Sequence, residues 1–193
     1  MTFLTDIADQ AVILPLVLAI TLALFAQGWR RGATAWAVAV CATFGVILAL
    51  KVTFMACSTA FGTSEIQTPS GHVAAAAVVA GGFAALLLRG RIAALTLAAL
   101  AAAAIGITRL ALGAHTAAEV LIGAGVGLLG AWVLLALAGR TPPGLNARRM
   151  LLMAVVVIAV FHGQHLPAEA RIRSTAERIA RMLPVCQPAE ARL

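Results

Sequence analysis

Six long apolar runs, at about 8–27, 33–54, 71–88, 92–109, 117–138 and 149–165, alternate with short polar connections along the chain. A helix needs about 20 apolar residues to cross a bilayer. The pattern therefore predicts an all-α fold, a polytopic transmembrane helix bundle of about six spans. The fourth and sixth runs are short for full spans. Residues 1–166 form the transmembrane domain on this reading, and residues 167–193 a basic tail that is amphipathic or disordered. In that tail Arg171, Arg173, Arg178 and Arg181 interleave with Ile172, Ile179 and Met182, which suits a helix lying on a membrane surface.

Composition agrees with a membrane protein and narrows its orientation. Of 193 residues, 62% are hydrophobic and 11% charged, which excludes an ordinary soluble domain. The formal charge of +7 comes almost wholly from arginine. Arg30 and Arg31, Arg89 and Arg91, and Arg140, Arg148 and Arg149 fall in three connections on one side of the bundle. Such clusters mark the cytoplasmic face and anionic lipid, so no nucleic-acid partner is expected. The other face, with both chain ends, points outward, which for a bacterial inner-membrane protein is the periplasm. Asp6 and Asp9 precede the first run where a signal peptide would be basic, so that run reads as retained. Trp29, Trp36 and Trp132 are the residues available for an interfacial aromatic belt. Three widely spaced cysteines, Cys41, Cys57 and Cys186, suggest neither a disulfide framework nor a structural zinc, and Cys41 reads as a small packing residue.

Two polar strings interrupt the apolar chain on the outward side. The first is Pro69-Ser70-Gly71-His72. It opens a helix, where free backbone amides and the helix dipole favour an anion. Ser70 can cap the helix or bond a phosphate oxygen, Gly71 leaves the backbone approachable, and His72 can protonate a leaving alkoxide. The second string is Thr108-Arg109, then His115, then Glu119. Arg109 offers a planar fork for phosphate oxygens. Gly113 breaks the chain so that Arg109 and His115 can converge. Glu119, four residues after His115, can fix one tautomer of the imidazole and leave the other nitrogen nucleophilic. Thr116 to Glu119 is also a capping box. Lys51, the sole lysine, lies at the outer end of the second run and fits a point charge on the same phosphate.

Other signals carry less. Gly125, Gly127 and Gly130 match a dinucleotide pattern but sit inside an apolar run with no preceding strand; with Gly123 they read as helix-packing positions. His162 and His165 read as interfacial. The short connection from Cys57 to Thr68 favours a simple, exposed site.

These strings resemble the second and third signatures of the type-2 phosphatidic acid phosphatase superfamily, integral-membrane lipid phosphate phosphatases. The second matches residue for residue; in the third, Thr108 stands for serine and Glu119 for aspartate at the family spacing. The resemblance implies hydrolysis of a lipid phosphate monoester or diphosphate without metal or other cofactor. His115 would be the nucleophile, forming a phosphohistidine, Glu119 would orient it and His72 would be the acid. Lys51, Ser70, Gly71 and Arg109 would bind the phosphoryl oxygens. The first signature is incomplete: Ser58-Thr59 stand where arginine-proline follows the lysine. That gap leaves a second expectation, a non-catalytic phospholipid-binding or scaffold membrane protein that keeps the pocket. The identity of the lipid and the oligomeric state are not written in the sequence.

Overall fold

The structure, a computed structural model, describes residues 6–61, 68–88, 90–164, 168–183 and 186, with backbone alone at 58–61 and 87. Among the described residues seven helices follow in order: α1 Gln10–Ala26, α2 Arg30–Phe61, α3 Gly71–Leu87, α4 Arg91–Ala111, α5 Ala117–Ala138, α6 Ala147–Phe161 and α7 Ala168–Met182. All regular structure among the described residues is helical, as the apolar pattern predicts. Arg89, Glu65, His165 and Arg192 lie outside the described residues.

The expected six spans separate into two groups. Three helices are long and apolar enough to cross a membrane: Arg30–Cys57 within α2, α4 and α5. The fourth run, expected to be short, is one of these, because α4 continues through Arg109 to Ala111. Helices α1 and α3 are apolar but only 17 residues each. Helix α6 has 15 residues and carries Arg148 and Arg149 in its first turn. The tail is helical over α7 and packs against α2.

Burial is inverted relative to a soluble protein. Large side chains such as Leu18, Leu22, Ile92, Leu100, Leu121 and Leu129 face outward. The interior is dominated by alanine, including Ala39, Ala74, Ala75, Ala77, Ala94, Ala98, Ala102 and Ala131. Between helices in lipid the gain comes from close van der Waals packing, which small residues permit, while lipid tails receive the large ones. Helix α3 is the centre of this arrangement, packed on α4, α5 and α2.

Three sequence expectations change here. Trp36 is 1% exposed, edge-on to Phe83 with ring centroids 5.3 Å apart, and Trp29 is also buried. Both indoles are core rather than interfacial belt, leaving Trp132 exposed. A side chain at Gly82 would overlap the Trp36 ring, so the glycine makes the slot that draws it inward. Cys41 is exposed on the outer face of α2, not packed inside. Cys57 and Cys186 form a disulfide across 129 residues, against the expectation of none. Only the return of α7 onto α2 brings them together.

The glycines of α5 set its distance from α3. A Cβ at Gly123 would strike the Ser70 carbonyl oxygen, and one at Gly127 would come 2.6 Å from the carbonyl oxygen of Ala74. Gly125 faces open space. At the arginine-rich end, Arg31 Nε donates to the Leu137 carbonyl at 2.7 Å, closing the C-terminus of α5.

Gly123→Ala is expected to cost about 1–3 kcal/mol through overpacking and to lower the unfolding midpoint of the detergent-solubilised protein. Gly125→Ala serves as control. Its added methyl meets nothing within 4 Å, so the midpoint should hold or rise slightly.

Candidate active site

The start of α1, the latter part of α2, the start of α3, the end of α4 and the starts of α5 and α7 meet at the end opposite the arginine-rich connections. They enclose an open cleft of about 530 Å³. Lys51, Gly71, His72, Arg109, His115 and Glu119 all line it, together with Asp9, Thr68, Glu169 and Arg173. Ser70 lies behind this lining, fully buried.

Glu119 is the organising group. Its backbone N–H donates to the Thr116 hydroxyl oxygen at 3.3 Å, and its Oε2 accepts the Thr116 N–H at 3.1 Å, completing the capping box of α5. The same Oε2 lies 2.8 Å from His115 Nδ1. Its other oxygen accepts the Thr68 N–H at 2.6 Å, and its carbonyl accepts the Ser70 N–H at 3.1 Å. One residue thus caps a helix, holds an imidazole and anchors the segment entering α3. With Nδ1–H donating to the carboxylate, the lone pair of His115 is on Nε2. Both side chains are 5% exposed. Burial pushes the His115 imidazole below its usual range; the Glu119 bond works against this and the Arg109 charge works with it. The ring is therefore neutral near pH 7.

His72 stands in the first turn of α3, its Nε2 3.7 Å from Asp9 Oδ2. Asp9 also caps α1 through Oδ1, 2.8 Å from the Ala11 N–H. Sequence reading missed Asp9 because it looked only like a charge preceding an apolar run. Ser70 takes the N-cap position of α3, yet its side chain makes no capping bond, and its Oγ has no hydrogen-bond partner among the described residues. The capping role expected of it is therefore not the one it fills.

Arg109 reaches the cleft from the last turn of α4, its Nε buried and unpartnered among the described residues. Gly113, at φ 62, supplies the left-handed turn after α4 that returns the chain toward His115. Thr108 instead bonds the Ile105 carbonyl within its own helix, at 2.7 Å.

Lys51 is 7% exposed, and its Nζ bonds Glu169 Oε2 at 2.6 Å. Glu169 and Arg173 both come from α7, so the expectation of a simple exposed site is corrected: the tail helix walls one side. The Cys57–Cys186 disulfide fastens that helix to α2. The side chains of Ser58 and Thr59 lie outside the described residues. His162, at the C-cap of α6, is not among the cleft residues.

Compared with known protein families, residues 11–142, well over half the chain, match the model described as PAP2 superfamily. No curated protein and no solved structure matches the chain.

An NMR titration of the His115 ring should give a midpoint below about 6.5, the value of an unperturbed imidazole. Because the Glu119 carboxylate raises that midpoint, Glu119→Gln should move it lower still. A wild-type midpoint above the unperturbed value would contradict the dominance of burial.

Proposed function

The chain belongs to the PAP2 superfamily of phosphatases, helical and apolar enough to place it in a membrane, and from that premise we propose that it hydrolyses a lipid phosphate through a phosphohistidine intermediate. The observation that carries this reading is the one cleft lined by His72, His115, Lys51 and Arg109, with His115 Nε2 left free by the bond from Nδ1 to Glu119.

In the proposed reaction the neutral His115 Nε2 attacks phosphorus, and the P–O bond to the lipid breaks. His72 delivers a proton to the departing alkoxide. Lys51, Arg109 and the backbone at Gly71 balance charge on the equatorial oxygens; Ser70, buried behind them, is not in reach of the cleft. Water then attacks the phosphohistidine with His72 accepting its proton, which releases phosphate and restores His115. Glu119 keeps the same tautomer throughout.

The substrate class follows from where the cleft lies. It opens at one end of an apolar bundle, where a phosphate headgroup sits while its tail stays in the bilayer. Phosphatidic acid, phosphatidylglycerol phosphate, a polyprenyl diphosphate and lipid A phosphate all have this form. Two observations support an outward-facing site in a bacterial inner membrane. The arginine-rich connections occupy the opposite end. The disulfide lies at the cleft end, and disulfides persist in oxidising compartments.

Purified protein should release phosphate from one or more members of that lipid panel. His115→Ala should abolish both turnover and any acid-labile phosphoenzyme, while His72→Ala should retain slow phosphoenzyme formation. Equal background release by all three proteins would favour the phospholipid-binding alternative. Since the nucleophile must be unprotonated and burial lowers its pKa, the acid limb of kcat/KM should lie below about pH 6.5. EDTA should leave the rate unchanged.

A further inference from the structure

The C-terminal helix places an anion where a phosphate would sit. Glu169 Oε2 is 2.6 Å from Lys51 Nζ, and this lysine is nearly buried. Arg109, the other cation assigned to the phosphate, lines the same cleft as this carboxylate. Glu169 itself is half exposed, its side chain 52% accessible, and its departure would leave no buried charge behind on α7. Arg173 follows four residues later, on the same face of the helix and also in the cleft lining. A displaced Glu169 carboxylate therefore has a second partner within its own helix.

Helix α7 is held at this position from both sides. The segment after α6 connects it at its N-terminus, and the Cys57–Cys186 disulfide fixes the chain beyond its C-terminus to α2. A group tethered at two points has a high effective concentration at its target, and cutting one tether lowers it. Two anions cannot share Lys51 without strong repulsion, so phosphate binding requires the Lys51–Glu169 pair to open.

We propose that Glu169 is a built-in competitor for the phosphate position, and that the Cys57–Cys186 disulfide sets its strength by latching α7 across the cleft. The proposal rests on the phosphate-binding reading of Lys51 and Arg109. It adds a means of regulation: whatever loosens α7 raises the affinity of the site for anions.

The test is a titration of the full-length protein in detergent with inorganic phosphate, followed by 31P NMR, alongside hydrolysis of the lipid panel. Glu169→Gln should tighten phosphate binding by about two- to fivefold, the range for opening one partly exposed ion pair. Dithiothreitol removes the disulfide by two thiol–disulfide exchanges, leaving Cys57 and Cys186 as thiols and the reagent as its cyclic disulfide. Reduction should tighten binding to the wild type and leave Glu169→Gln nearly unchanged. Unaltered or weaker binding by Glu169→Gln would overturn the proposal. So would equal tightening of both proteins on reduction, since the obstacle would then be the helix rather than its carboxylate. Tighter binding without hydrolysis in any protein would uphold the competitor and remove the phosphatase. Hydrolysis with unshifted binding would do the reverse.

Discussion

The carboxylate of Glu119 is the constraint on which the cleft depends. It accepts from Thr68 and Thr116 and meets the His115 ring, so three groups from two distant segments of chain converge on two oxygens. A buried carboxylate is tolerable in an apolar bundle only when such donors surround it. The steric fit of Gly123 against Ser70 brings the two helix starts close enough for these bonds. Packing and polar satisfaction are therefore one requirement here, since a longer α3–α5 separation would take the Thr68 donor away from a buried carboxylate.

Much of this was legible in the sequence because its information is local. The apolar runs mark the helices, and the four-residue step from His115 to Glu119 puts both on one face of a helix start. The spacing of Arg109, Gly113 and His115 likewise encodes a turn that bends back on itself. Lys51 was found by a different signal, as a lone cation at the outer end of its run. Within α5 the sequence marks Gly123, Gly125, Gly127 and Gly130 alike as packing positions; Gly123, Gly127 and Gly130 do meet neighbouring helices, whereas Gly125 faces open space, on the other side of α5.

What stayed hidden depends on pairs far apart in the chain. Lys51 and Glu169 are 118 residues apart, and Cys57 and Cys186 are 129. No periodicity links such positions, and a basic tail with alternating apolar residues reads equally well as a surface helix. The tryptophans misled for a related reason. Indole suits both a membrane interface and a close-packed interior, and only the absence of a side chain on Gly82, in another helix, decides between them for Trp36.

The shortness of α1, whose Leu14, Leu18 and Leu22 face outward, has a further effect on the surrounding lipid. At 1.5 Å per residue, 17 residues span about 25 Å, against roughly 30 Å of hydrocarbon in an average bilayer. Such hydrophobic mismatch thins the adjacent leaflet. Helix α1 begins at the mouth beside Asp9, so a headgroup layer that follows its apolar length would dip toward that mouth on this flank. Acyl chains there travel a shorter distance to bring their polar ends level with the imidazoles.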